Sequence, residues 1–398
     1  MIDTPMRFLH MINLRNVGGV ERMFAEFIVA PPPFPVEHHI IGEHPEIAEA
    51  LKETILRNAR FVSVRRWGVP PKKPRWFWQW RYRHLIKNIR PDRIVVWNQF
   101  LDFDFPVDCP IIYYEHGGAW YPQNPEVACR FFSQIDAAVA VSYAAQRMLV
   151  LKYQVSQKIH IKRNRLLDYA RPSMPVSSRA GFAKPRSVQI GSAGRLAPVK
   201  CMGLIVLAVK RLRERGIDAS ATIAGEGRER PILEALIAEY RLQSNVRLIG
   251  LQEDMSGFYR NIDIYVCASM RESFGLSCIE AAAWGVPVIT GNVDGMVESV
   301  QHGITGICLE PTLDQKTYLE KTHATPDFPL LIYWPLSDTI APPKMLAPET
   351  IAEAIIGLLD QPERYRELSR QALTMAQAQE SFSDLCGDLY RIFKAPTD

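Results

Sequence analysis

A chain of 398 residues is long enough for two domains. Its 47% hydrophobic and 23% charged content is that of a globular protein and excludes a disordered or fibrous one. No apolar run approaches the ~18 residues of a membrane span, the N-terminus lacks a secretory pattern, and the seven cysteines show neither paired nor zinc-like spacing, so a reduced, cytoplasmic protein without cofactor or metal is expected.

The net charge of +4 is unevenly spread. Residues 1–180 carry 25 Lys and Arg against 16 Asp and Glu, whereas residues 181–398 carry 22 against 27. A basic first half suits an anionic partner.

In chain order, residues 6–13 predict a strand, followed by the pair Gly18-Gly19 and a helix over 21–29. Strand, glycine pair and helix let backbone N–H groups approach a phosphate, although a plain turn reads the same way. A strand over 36–41, a helix over 45–58 and a strand over 61–64 continue the α/β alternation. The segment Arg65–Arg83 then holds half of the eight tryptophans among seven Lys and Arg. Such a mixture suits docking on an anionic membrane surface. A core helix or stacking of single-stranded nucleic acid are the alternatives; the membrane reading is favoured and nucleic acid is not expected as a partner. A strand over 93–97 precedes Asp102-Phe103-Asp104, a triplet that elsewhere binds metal but lacks that context here. The strand over 110–115 ends at His116-Gly117, at the strand end where open α/β sheets bind ligands; a structural histidine is the alternative. A strand over 137–141, Ser142 as cap of a helix over 143–153, and a strand over 158–161 complete the first half.

Residues 171–184 are rich in Pro, Ser and Ala and read as a linker. A strand from Val188 leads into Gly194-Arg195-Leu196, with Lys200 five residues after the arginine. An Arg fork and a Lys point charge suit phosphate oxygens. A helix over 202–215, a strand over 219–224, the turn Gly225-Glu226-Gly227, a helix through Tyr240 and strands over 246–250 and 263–267 follow. Then comes Glu272-Ser-Phe-Gly-Leu-Ser-Cys-Ile-Glu280. Its apolar spacing predicts a helix from Leu276 to Trp284, stopped by Gly285 and Pro287, with a buried strand at Val288-Ile289. The N–H groups of Phe274, Gly275 and Leu276 open that helix and offer an anion cradle between two carboxylates. An ordinary helix with a solvent-facing glutamate is the bland alternative.

Two glutamates eight positions apart with Phe-Gly after the first, preceded by Gly-Arg-Leu and a lysine, resemble the signature of glycosyltransferase family 4. Gly295-Met-Val-Glu298 and Gly303-Ile-Thr-Gly306 continue that pattern in order. The resemblance implies an α/β fold of GT-B type: two Rossmann-like domains facing across a cleft, with a C-terminal helix crossing back to the first domain. It implies retaining transfer of a sugar from a nucleotide-diphosphate sugar, UDP-sugar favoured, without metal; the basic, aromatic segment Arg65–Arg83 suggests a glycan or lipid-linked acceptor in polysaccharide or lipopolysaccharide synthesis. Gly18 and Gly19 are then expected under the donor diphosphate and His116 facing the sugar. Arg195 and Lys200 are expected on the diphosphate, where cations replace a metal. Gly225 lies on the base side, Leu251 beside the nucleobase, Glu280 on the ribose hydroxyls and Glu272 beside the sugar. A non-catalytic nucleotide-sugar-binding subunit and a sugar-nucleotide epimerase of the same architecture are the rivals.

The expected organisation is an acceptor-side domain over 1–170, a linker over 171–184, a donor-binding domain over 185–380 with an insertion at about 312–346, and a terminal helix over 381–398. The insertion is proline-rich and aromatic and could shape the acceptor side or pack on a partner, and 362–391 reads as helical. The protein is expected in the cytoplasm, peripheral on the inner face of the membrane through Arg65–Arg83.

Overall fold

The computed structural model describes residues 4–65, 74–172, 176–182 and 186–396. They form two compact units, Met1–Asn164 with Glu380–Asp398, and Arg165–Gln379.

The first unit alternates strand and helix: β1 (Met6–Met11), α1 (Gly19–Val29), β2 (Val36–Gly42), α2 (Glu49–Asn58), β3 (Arg60–Ser63), α3 (Arg75–Ile89), β4 (Arg93–Trp97), β5 (Ile111–Glu115), α4 (Pro125–Phe132), β6 (Ala137–Ala140), α5 (Tyr143–Tyr153) and β7 (Lys158–Ile161). The seven strands are parallel in the order β3-β2-β1-β4-β5-β6-β7. β5 and β6 are buried along their whole length, as the middle of a sheet covered on both faces must be. Helix α2 starts at Glu49 rather than at Pro45. Helix α4 is absent from the sequence expectation, yet its signals are ordinary: Asn124 accepts from the N–H groups of Glu126 and Val127, and Pro125 occupies the first turn. Ser142 caps α5 as predicted, its Oγ accepting from Ala145 N at 2.9 Å.

The second unit contains β8 (Ser187–Ala193), α6 (Gly203–Glu214), β9 (Asp218–Ala224), α7 (Arg230–Glu239), β10 (Val246–Leu248), α8 (Ser256–Arg260), β11 (Ile264–Cys267), α9 (Leu276–Ala283), β12 (Val288–Gly291), α10 (Met296–Ser299), β13 (Gly306–Leu309), α11 (Gln315–Thr322), β14 (Ile332–Trp334), β15 (Thr339–Ala341), α12 (Pro348–Asp360) and α13 (Pro362–Ala378). Its six-stranded parallel sheet runs β10-β9-β8-β11-β12-β13. The strand order reverses between β8 and β11 here, and between β1 and β4 in the first unit. Those are the places where open α/β sheets leave a crevice at the carboxyl ends of their strands. The insertion at 312–346 is ordered. It holds α11 and the antiparallel hairpin β14–β15, and its base is closed by reciprocal backbone hydrogen bonds of 2.9 Å between Leu313 and Met345.

The region 362–391, expected to be helical, comprises two helices. α13 stops at Ala378, and α14 (Phe382–Lys394) starts afresh behind Ser381, which forms a capping box with Asp384. α14 belongs to the first unit, although it lies at the far end of the chain. Its stripe of Leu385, Leu389, Tyr390 and Phe393 is buried there, each side chain stabilising by roughly 1.5–3 kcal/mol. Lys162 Nζ pairs with Asp388 at 2.5 Å, and the Arg93 guanidinium donates to Lys394 O.

Candidate functional site

The loop leaving β8 carries Gly194, Arg195 and Leu196, and the chain then turns through Lys200. This loop is fastened to the neighbouring loop after β9. Gly194 N donates to Ala224 O at 3.0 Å and Leu196 N to Glu226 O at 2.8 Å. Gly225 makes that approach feasible: its φ is 135°, and a Cβ there would stand 2.0 Å from Gly194 O. Gly225 N in turn donates to Gly250 O at 2.8 Å, which brings Leu251, 77% exposed, to the same end of the sheet. Arg195 is exposed on this loop.

The loop after β11 carries Glu272. Its carboxylate Oε2 accepts from Lys200 Nζ, and both side chains are about a fifth exposed, 19% and 21%. Burial disfavours the lysine's charge, but the Glu272 carboxylate outweighs it and holds the ammonium above its ordinary pKa. Two groups expected to act on different parts of one ligand are thus joined in a single ion pair. Behind Glu272, Gly275 adopts φ 89° as the N-cap of α9, with no side chain capping the helix among the described residues. The first turn of α9 lies beside Glu272: a Cβ on Gly275 would stand 3.7 Å from Glu272 Cγ, and within the turn Cys278 N donates to Gly275 O at 3.0 Å. The Phe274 ring is buried, so only its backbone is offered. One turn into α9, Glu280 Oε2 accepts from the Tyr259 hydroxyl at 2.8 Å. Burial, and then the charge of Glu280, keep Tyr259 protonated far above its usual range. Arg195, Lys200, Gly225, Leu251, Glu272, Phe274, Gly275, Leu276 and Glu280 therefore share the carboxyl end of one sheet around its switch point. Sequence reasoning misses Tyr259 and Asp294. Asp294 accepts from Glu272 N at 3.1 Å; the Asp294-Gly295 pair signals a turn but not what the turn holds.

In the first unit, Gly18 and Gly19 stand exposed at the start of α1, which has no side-chain cap among the described residues. His116 follows β5 and is buried. Its ring stacks on Trp97 at 5.7 Å and 16° and lies 4.1 Å from the Tyr114 ring. Burial pushes its pKa down to about 3, so it is neutral, and among the described residues its Nε2 has no partner. Two polar residues that sequence reasoning misses shape this loop. The buried Glu115 carboxylate accepts from the Tyr113 hydroxyl at 2.6 Å, from Ala119 N at 3.0 Å and from Gly117 N. Asn98 Oδ1 accepts from His116 N at 3.0 Å and Gly118 N at 2.6 Å. A charged residue closing the apolar run Ile111–Tyr114 is the signal, since a buried carboxylate needs such donors. Asp102 and Asp104 are taken up by Arg75, Arg83 and Arg130. Among the described residues no three His, Cys, Asp or Glu gather as metal ligands.

Of the segment Arg65–Arg83, residues 66–73 lie outside the described residues. The rest forms most of α3, on which the half-buried Tyr82 stacks against Phe103. Trp76 and Trp80 are 67% and 54% exposed on the other side, so a core location fails for those two. No helix among the described residues is long and apolar enough to cross a membrane.

Residues 177–323 match the family Glycosyl transferases group 1, and residues 17–164 match Glycosyltransferase Family 4. The D-inositol 3-phosphate glycosyltransferase of Mycobacterium sp. (strain JLS) is 30% identical over 148 residues, covering 36% of this chain and 34% of that protein. The match thus spans about a third of the relative's length. Among solved structures, Anabaena HepE in complex with UDP and glucose superposes with a TM-score of 0.69 at 14% identity, over 98% of this chain and 100% of HepE. WaaG, a glycosyltransferase involved in lipopolysaccharide biosynthesis, superposes at 0.65 with 14% identity, over 98% and 100%. With both units matched by family and each built on a Rossmann-like parallel sheet, the chain belongs to glycosyltransferase family 4 and has the GT-B fold.

Proposed function

We propose that the protein transfers a sugar from a nucleotide-diphosphate sugar, with UDP as the favoured nucleotide, to a glycan or lipid-linked acceptor, with retention of configuration and without a metal ion. The observation that carries this reading is the Lys200–Glu272 ion pair, with Arg195 on the loop that leads to Lys200 and the first turn of α9 following Glu272, at the carboxyl end of the sheet. A diphosphate leaving group gains negative charge as the glycosidic bond breaks. Fixed cations and N–H dipoles stabilise it without reorganising. Arg195 and Lys200 take that role, and the α9 N-terminus adds its partial positive charge. Glu272, whose carboxylate Lys200 holds in one orientation, accepts hydrogen bonds from sugar hydroxyls rather than attacking as a nucleophile. Glu280, oriented by Tyr259, accepts from the ribose hydroxyls. Gly225 and Leu251 flank the base. For the first unit the family resemblance assigns Gly18 and Gly19 to the diphosphate, and His116 to the transferred sugar; a neutral imidazole whose Nε2 has no partner among the described residues suits a hydroxyl.

HepE was solved with UDP and glucose, and WaaG is involved in lipopolysaccharide biosynthesis; both names favour a UDP-sugar and a cell-surface glycan. The exposed Trp76 and Trp80, with His84 and Lys87 following on the same side of α3, favour a protein that meets its acceptor at an anionic membrane surface. The test is a transfer assay in excess chelator with UDP-sugars and short glycan or glycolipid acceptors. Product anomeric configuration is read by NMR. Acceptor-dependent release of UDP with the donor's configuration kept is the expected result. Conversion of the donor to an isomer without acceptor, or inverted product, overturns the reading.

A further inference from the structure

We propose that Asp294 is a positioning residue for Glu272, and that the hairpin β14–β15 is the strut that holds Asp294 in place. The inference rests on the role given to Glu272 above. Asp294 is fully buried, and its φ of 47° lies in the left-handed region, which a residue with a side chain rarely adopts. Its two carboxylate oxygens point to two different elements. Oδ2 accepts from Glu272 N at 3.1 Å, and Oδ1 accepts from Tyr333 N at 2.8 Å. The backbone repeats the link on both sides: Asp294 N donates to Tyr333 O at 3.0 Å, and Gly295 N donates to Glu272 O at 3.1 Å. Gly295 leaves room for this approach, because a Cβ there would stand 2.2 Å from Ser273 O. Four hydrogen bonds thus tie the loop of Glu272 to the insertion, and a carboxylate buried this deeply persists because N–H donors satisfy it.

The insertion is itself braced. The root of the hairpin, Ile332 and Tyr333, is buried, while Leu336 at its tip is 80% exposed. Tyr333 and Ile340 face each other across the hairpin, and the Tyr333 hydroxyl donates to Asp338 at 2.8 Å. At its other side Thr325 Oγ1 donates to Glu229 at 2.5 Å, ahead of α7. A segment that interrupts the second unit between β13 and α12 therefore reaches back to the backbone of a residue in the proposed donor site. Its purpose is to hold the Glu272 carboxylate, and the start of α9 behind it, against displacement when a charged ligand arrives. Glu280, one turn further on, is held separately by Tyr259, so a change at Asp294 disturbs the sugar side of the site and leaves the nucleotide side intact.

The experiment compares wild type with Asp294→Asn and Asp294→Gly. Asparagine keeps the shape but accepts well at one position only. Glycine removes the carboxylate while relieving the left-handed backbone, so the fold survives and only the tether is lost. Both variants are predicted to lose kcat on the order of tenfold to a hundredfold, with UDP affinity by calorimetry unchanged within about twofold. Hydrogen exchange in the peptide spanning residues 271–276 speeds up, whereas that over Ser187–Ala193 does not. Wild-type kcat in both folded variants, or exchange unchanged at 271–276, overturns the proposal. So does failure of both variants to fold, since a positioning role leaves the unit standing. If wild type transfers no sugar but these exchange changes appear, the tether stands and the reading of the site fails; the two outcomes are distinguishable.

Discussion

Lys200 and Glu272, seventy-two positions apart in the chain (|i−j|=72), meet through Nζ and Oε2 at the carboxyl end of the second sheet. The meeting follows from strand order: the loops after β8 and β11 are sequence-distant and spatially adjacent because those two strands pair, Ile264 with Ile190. The pair couples the charge that would stabilise a leaving phosphate to the orientation of the carboxylate proposed to meet the sugar.

Removal of the cation tests this coupling. Lys200→Ala is expected to lower kcat by about 10²–10³, the usual cost of one pre-placed donor to a developing charge. Arg195→Ala, which leaves the ion pair intact, lowers it less and leaves the orientation of Glu272 unchanged. Melting temperatures checked alongside show both variants folded.

The nucleotide side is separable. Tyr259→Phe removes the hydroxyl that orients Glu280 and is expected to weaken nucleotide binding by about 1 kcal/mol, roughly five- to tenfold in Kd. Glu280→Gln weakens it further. Calorimetric titration with UDP reads both, and adding Tyr259→Phe to a variant already lacking Glu280 should change the affinity no further.

The loop that carries Arg195 depends on one glycine. Gly225→Ala places a methyl against Gly194 O in a backbone region foreign to alanine. A loss of about 1–3 kcal/mol is expected, seen as a lowered denaturant midpoint, together with impaired nucleotide binding.

The first unit carries a pH dependence. Trp97 Nε1–H donates to His10 Nδ1 at 3.2 Å, which fixes the proton on His10 Nε2; that donates to His38 Nδ1 at 2.9 Å, and His38 Nε2–H reaches the Tyr390 hydroxyl at 3.1 Å. Tyr390 finally donates to Phe27 O at 3.2 Å. The chain works only with neutral rings. Burial first, and then neighbouring histidines, push His10 well below 6.5 and His38 to about 4. Below pH 6.5 the unfolded chain takes up protons that the folded chain refuses. The stability these rings contribute is therefore complete above that pH and is lost as pH falls toward 4, by about 1.4 kcal/mol per pH unit for each ring. Urea denaturation at pH 7.5, 6, 5 and 4 checks the sign, and replacing His38 by Asn flattens the slope.

Part of this architecture is legible in the amino-acid sequence. Periodicity and caps place β4, α5 and β7 within a residue or two, because each is bounded by strong local signals such as Ser142. The glycine turns and the spacing from Glu272 to Glu280 carry the residues proposed for the donor side. What stays hidden depends on distant partners. Glu115, Asn98 and Asp294 are ordinary polar letters until the backbone N–H groups they serve are brought to them by tertiary structure. The His10–His38–Tyr390 chain joins β1 and β2 to a helix at the other end of the sequence. The hairpin escapes sequence reading because Ile332–Trp334 and Thr339–Ala341 are too short for a periodic signal.

A second unit that holds a nucleotide-diphosphate sugar through Arg195, Lys200, Glu272 and Glu280 must be stabilised by that ligand. Thermal unfolding in excess chelator with UDP, GDP, ADP and their common sugar conjugates tests this most directly. Ligand at about 100 times its Kd stabilises by about 2.7 kcal/mol. A clear upward shift with UDP and a UDP-sugar, unaffected by chelator and lost in Glu280→Gln, is predicted. No shift with any nucleotide, or a UDP shift that Glu280→Gln and Lys200→Ala leave unchanged, contradicts it.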